Sequence, residues 1–176
     1  MAKIYYFAYG SNMLSERLQA RCKSARAVSI GSVEGHSLAF SKKSRDGSGK
    51  ATLAPSEEAD SRVYGVLFEL DAEELTDLDG FEGVGLGYER HNEFAVQTEG
   101  GIVTAAVYLG SDDHLDAAQR PYDWYHELVL AGAKQNQLPL DYVEKLSDVA
   151  SSVDTKTKRN NAAAGVGAVE KGERSA

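Results

Sequence analysis

Residues 5–13 read YYFAYGSNM: an apolar, aromatic run from Tyr5 to Tyr9 that is cut off by Gly10, Ser11 and Asn12. The run has the composition of a buried strand. The triplet that stops it has two readings. It is either an ordinary strand–helix turn with Ser11 or Asn12 as an N-cap, or a loop that offers its backbone to a ligand. Gly10 permits a positive φ and lets a bound molecule approach the main chain. A helix starting near Met13 would leave the amides of Gly10 to Asn12 at its positive end, where a carboxylate or an oxyanion is stabilised. Ser11 and Asn12 add side-chain donors. A nucleophilic Ser11 is disfavoured. An elbow needs G-x-S-x-G, the string here is Tyr9-Gly10-Ser11-Asn12-Met13, and no paired histidine and acid stands out elsewhere.

Outward from this stretch, strand signals dominate. KIYYFAY (3–9), ARAVSIGSV (25–33) and HSLAFSKK (36–43) read as strands, the last two separated by a turn around Glu34-Gly35. RVYGVLFEL (62–70) alternates as a half-buried strand, and ERHNEFAVQ (89–97) and IVTAAVYLG (102–110) flank the short connection TEGG as a hairpin. Helices are fewer. MLSERLQARC (13–22) is a short one, and DAEELTDLDGFE (71–82) starts like a capping box, with Asp71 first and Glu74 three residues on. Pro121 opens a longer helix that stops near Asn136, and Pro139 begins a last one through LDYVEKLSDV. Strands first, one helix between them and two helices at the end make an α+β pattern with a curled mixed sheet.

The segment from Ser151 to Ala176 differs in kind, with Ala, Gly, Ser and charge but no aromatics, and is expected to be a disordered tail behind one domain of residues 1–150. Five positive and three negative charges fall in it, so the net charge of −8 leaves −10 on the first 150 residues. That balance argues against nucleic acid or an anionic membrane as partner. No apolar run approaches the roughly 20 residues that span a bilayer. The N-terminus has no secretory pattern and Cys22 is alone, so a cytoplasmic protein without an internal disulfide is expected. The oligomeric state is open, a homodimer included.

The second dense stretch is DLDGFEGVGLGYER (77–90), with Gly80, Gly83, Gly85 and Gly87 around Glu82. A dinucleotide fingerprint would need glycine where Tyr88 stands, and the stretch precedes a strand instead of opening a helix. Glu82 is either a solvated loop acid or, if partly buried beside Phe81, a proton acceptor. His36, His91, His114 and His126 have no metal-ligand spacing, and the acids of SDDHLD (111–116) read as solvated, so no metal is expected. Trp124 and Tyr125, at the start of the long helix, fit core packing.

Together, YFAYGSNM, LDGFEGV and YHELVLAGAKQNQLPLDYVEKL resemble the gamma-glutamylcyclotransferase family in order and spacing, from about Tyr5 to Val149. The YGSN variant is similar to enzymes acting on gamma-glutamyl amino acids, more than to the gamma-glutamylamine or glutathione branches. The resemblance implies a small, closed or nearly closed mixed β-barrel decorated with helices, and a cyclisation that releases 5-oxoproline without metal or cofactor. It makes Glu82 the catalytic acid/base. It makes Tyr6, Phe7, Ala8, Tyr9, Gly10, Ser11 and Asn12 the substrate cradle, and Tyr125 a further substrate contact. A non-catalytic binding module on the same barrel would have no need of Glu82. Two positions depart from the pattern: Glu89 follows Tyr88 where a second aromatic is common, and Phe81 replaces a polar residue, which is expected to dry the surroundings of Glu82.

Overall fold

The computed structural model describes residues 1–156. Seven strands form: β1 (Lys3–Ala8), β2 (Arg26–Glu34), β3 (His36–Lys43), β4 (Gly49–Pro55), β5 (Arg62–Asp71), β6 (Tyr88–Thr98) and β7 (Gly101–Gly110). Five of them close a barrel in the order β1-β5-β2-β6-β7, while β3 and β4 pair as a separate two-stranded sheet. All barrel pairs are antiparallel except the closure, where β1 meets β7 in parallel at Tyr6 and Ala106. This is the expected α+β fold on a small mixed barrel. Four helices dress it: α1 (Ser15–Arg21), α2 (Glu74–Glu82), α3 (Asp123–Gln135) and α4 (Leu140–Ser147).

Phe7 packs against two glycines of the barrel wall. Its ring is fully buried, and a Cβ on Gly65 would lie 2.7 Å from Phe7 Cζ. On Gly31 a Cβ would lie 3.3 Å from the same ring and 2.5 Å from Val96 Cγ1. The large side chain is admitted where its neighbours have none. β5, expected to be half-buried, is buried on both faces at Val63, Val66, Leu67, Phe68 and Leu70, because α2 and β3 pack on it from outside.

Three local expectations are corrected. The helix after the opening stretch begins at Ser15, two residues later than expected, and Ser11–Met13 forms a 3-10 turn ahead of it. The capping box at 71–74 does not form: Asp71 ends β5 and pairs with Lys3 Nζ at 2.7 Å, and the Glu74 carboxylate accepts from Ser24 N and Oγ instead. The tail does not begin at Ser151. Ser152 pairs with the chain before α3, donating to Pro121 O and accepting from Asp123 N, both at 2.9 Å. Asp154 is buried there, where the Trp124 indole donates to its Oδ2 at 3.0 Å. The rest of the expected tail, 157–176, lies outside the described residues. Among the described residues no helix is long and apolar enough to cross a membrane.

Candidate active site

Strand β1 ends at Ala8, and the chain turns through Gly10 into the 3-10 turn, where the amides of Met13 and Leu14 donate to Gly10 O and Ser11 O. Gly10 is not there for a positive φ, since its φ is −113°. Space decides it: a Cβ would come within 3.1 Å of Ala51 Cβ and 3.3 Å of Tyr125 Oη. The turn is held from behind by α3. A Cβ on Gly132 would sit 2.6 Å from Leu14 N, so the helix lies flat against the turn. Asn136 Nδ2 donates to Met13 O at 2.9 Å, and Gln135 Oε1 accepts from Ser15 N at 2.9 Å.

Glu82 arrives from the other side as the last residue of α2, so it is helical and not a loop acid. Gly83, with φ of 70°, ends that helix in the left-handed conformation, and Val84 N closes back onto Asp79 O at 3.0 Å. Gly85 and Gly87 also have positive φ, so the glycines that resemble a nucleotide loop are turn glycines.

The two sides meet. Asn12 Nδ2 donates to Glu82 Oε1 at 2.7 Å and to Tyr6 Oη at 3.1 Å, and Arg21 Nη1 donates to Glu82 Oε1 at 3.0 Å and to Asn12 Oδ1 at 3.1 Å. Both bonds to Glu82 fall on Oε1, and Oε2 takes none from the described residues. Ser11 Oγ accepts from Arg17 Nε at 3.1 Å. This partner is a cation that cannot take up the hydroxyl proton, the opposite of what a nucleophile requires.

Tyr6, Tyr9, Gly10, Ser11, Asn12, Glu82 and Tyr125 line one pit, together with Ala51, Tyr88 and Tyr108. Burial raises the ionisation of all five tyrosines above the usual phenol range, so each presents a neutral hydroxyl. Tyr125 Oη accepts from Ala51 N at 3.1 Å, Tyr88 donates to Ala51 O at 2.6 Å, and Tyr9 donates to Tyr108 O. Phe7 and Ala8, expected in the cradle, do not line it. Phe7 fills the barrel interior and Ala8 is paired with Val66 on β5. Of the two departures, Glu89 is exposed on β6 and does not line the pit. Phe81 is 57% exposed and lies under the Arg21 guanidinium at 5.4 Å, so it supports Arg21 and does not dry Glu82.

The pit opens into a cleft of about 450 Å³ that shares Ser11, Glu82, Tyr88 and Tyr125 with it. Five cations border this cleft, Arg17, Arg21, Lys42, Arg45 and Lys50, against Glu82 and Asp46. Burial lowers Arg17 to about 10, with Arg21 beside it adding to the effect, which leaves it protonated at neutral pH. Arg17 and Arg21 carried a signal that was passed over: a spacing of four puts both on one face of the helix that follows the cradle. Ala51, Tyr88 and Tyr108 carried none, being ordinary strand residues brought in by the barrel. Among the described residues no group of His, Cys, Asp and Glu could hold a metal ion.

The AIG2-like family matches residues 62–146. The gamma-glutamylcyclotransferase of Homo sapiens is 34% identical over 152 residues, covering 82% of this chain and 77% of that protein. The solved structure of a gamma-glutamyl cyclotransferase superposes with a TM-score of 0.82 at 30% identity, over 94% of this chain and 100% of the other. A crystal structure of an uncharacterized Homo sapiens protein gives a TM-score of 0.78 at 30% identity, over 90% and 97% of the two chains. With identity at this level over most of both chains, and the same barrel beneath it, the protein belongs to the gamma-glutamylcyclotransferase family.

Proposed function

We propose that the protein is a gamma-glutamylcyclotransferase acting on gamma-glutamyl amino acids. The observation that carries the reading is the meeting of Glu82 with Asn12, 2.7 Å apart across one pit. A carboxylate is thereby aimed at the loop that would hold the glutamyl group.

The substrate's α-amine attacks its own γ-carbonyl, the bond to the leaving nitrogen breaks, and 5-oxoproline and a free amino acid separate. Nucleophile and electrophile share one molecule, so the protein need only fold the glutamyl chain into an attack geometry and move protons. Two protons travel from the α-nitrogen to the leaving nitrogen in the balanced reaction. Glu82 takes one from the α-ammonium before attack and returns it to the leaving nitrogen, then does the same for the second. Asn12 and Arg21, both bonded to Oε1, fix the carboxylate and leave Oε2 to face the substrate. The Gly10–Asn12 loop supplies donors for the oxyanion of the tetrahedral intermediate. The enzyme is metal-independent, a lyase or acyltransferase by reaction type, and its product places it in gamma-glutamyl peptide and glutathione metabolism. Cys22, buried and unbridged, suits a reducing compartment, and we place the reaction in the cytoplasm.

The test is 5-oxoproline release from gamma-glutamyl dipeptides, gamma-glutamylamines and glutathione. Dipeptides are expected to react best; no product from any substrate overturns the reading. Glu82→Gln is expected to lower kcat by about a hundred- to ten-thousandfold, with the fold intact by circular dichroism.

A further inference from the structure

Lys42 is a buried lysine for which the chemistry above has no task. It is only 9% exposed, and among the described residues no carboxylate lies within ion-pair distance of its ammonium. Its neighbours in the cleft are committed: Arg21 to Glu82, and Lys50 to Asp46 at 3.0 Å. The slot holding it is built from glycines. A Cβ on Gly110 would lie 3.1 Å from Lys42 Cγ, and one on Gly87 would lie 2.6 Å from Cε and 2.8 Å from Nζ. Upstream, β3 carries one extra residue between Ala39 and Lys42 relative to β4, a bulge of the kind that re-aims a side chain.

The slot directs the ammonium into the cleft, 4.8 Å above the Tyr88 ring. Tyr88 borders both pit and cleft, so Lys42 stands over a ring that also lines the pit. Burying a cation with only a ring face and no paired carboxylate beside it is costly, and a methionine would fill the same slot without that cost. Burial lowers the lysine's pKa, while the charges of Glu82 and Asp46 raise it and that of Arg45 lowers it further.

We propose that Lys42 is a specificity-determining residue that binds the carboxylate of the leaving amino acid. The inference rests on the cyclotransferase reading. With the glutamyl group in the pit and the γ-carbonyl at Glu82, the leaving portion must extend into the cleft. Its carboxylate stands two bonds beyond the scissile nitrogen, in the cleft that Lys42 lines. Arg45, exposed at the rim, adds attraction for a second acidic group. Leaving groups that end in a carboxylate are therefore preferred over amines and amides of the same size.

The experiment compares gamma-glutamyl-alanine with gamma-glutamyl-alaninamide, which differ only in that carboxylate. Wild-type kcat/KM is expected to favour the acid by about tenfold or more, the range of a hydrogen bond between charged groups. Lys42→Met is expected to bring the ratio within about twofold of one, and Lys42→Arg to keep most of it. A wild-type ratio below about threefold overturns the proposal without recourse to any variant, as does a ratio undiminished in folded Lys42→Met. In both cases 5-oxoproline is still formed and the cyclotransferase reading stands. No 5-oxoproline from these two or from any substrate of the wider panel overturns both.

Discussion

Asn12 holds three groups at once: its amide nitrogen bridges Tyr6 Oη and Glu82 Oε1, and its oxygen takes a bond from Arg21. No other side chain of similar size donates and accepts in this way. Asn12→Asp keeps the shape and the bond from Arg21, but turns the donor facing Glu82 into a second carboxylate. Like charges at hydrogen-bond distance force one group to move or take a proton. The expected outcome is a fall in kcat of about a hundredfold or more, with a smaller change in KM, checked by steady-state 5-oxoproline release. Asn12 and Glu82 were legible as candidates because each is an unusual residue in a glycine-bearing stretch. Lys42 was not: alternation in HSLAFSKK puts it on the face of Leu38 and Phe40, but nothing local shows that its ammonium reaches a cleft. That cleft is formed by the hairpin with β4 and by the loops around it, and Gly49–Pro55 carries little strand signal of its own.

At the scale of elements, the site depends on α3 lying flat behind the cradle. Gly132 makes that approach possible, because the atoms nearest an added Cβ are the backbone of Met13 and Leu14, which cannot rotate away. Gly132→Ala is therefore expected to destabilise the protein by about 2–3 kcal/mol, although alanine is the better helix former. Activity should fall with it, because Met13 belongs to the turn that positions Asn12. Gly80→Ala is the contrast, since a Cβ there meets nothing within 4 Å. In the interior of α2 it should raise stability by about 0.5–1 kcal/mol. Thermal unfolding of the two variants checks both signs. Helix positions were legible from Pro121, Pro139 and the apolar spacing, and Pro139 marks the start of α4 to within one residue, but the starts of α1 and α2 were not legible. Asp71 and Glu74 have the spacing of a capping box, yet Lys3 and Ser24, 68 and 50 residues away in the chain, take their carboxylates. Local spacing cannot register partners that only the folded barrel supplies.

On the scale of the whole molecule, charge is divided against its own average. The first 150 residues carry −10, yet five cations border the cleft against two acids. Net charge in the sequence could rule out a basic nucleic-acid surface, but not reveal this reversal, because a whole-chain sum does not show that α1, with Arg17 and Arg21, meets the β3–β4 hairpin, with Lys42, Arg45 and Lys50. The barrel order was likewise out of reach of spacing alone; it follows from pairings such as Tyr6 with Phe68, and the family resemblance implied a barrel without its order. A concave cationic site in an acidic body tests which field a substrate feels. The dipeptide gamma-glutamyl-alanine carries −1 at neutral pH and its amide is neutral, so only the first is drawn in by the cleft or repelled by the body. Raising salt from about 0.01 M to about 0.2 M shortens the screening length from about 30 Å to less than 10 Å. If the cleft dominates, KM for the acid should rise about two- to fivefold while kcat and the KM for the amide stay nearly constant. A KM for the acid that falls with salt would mean that the body's negative charge prevails, and that the cleft recognises its ligand only on contact.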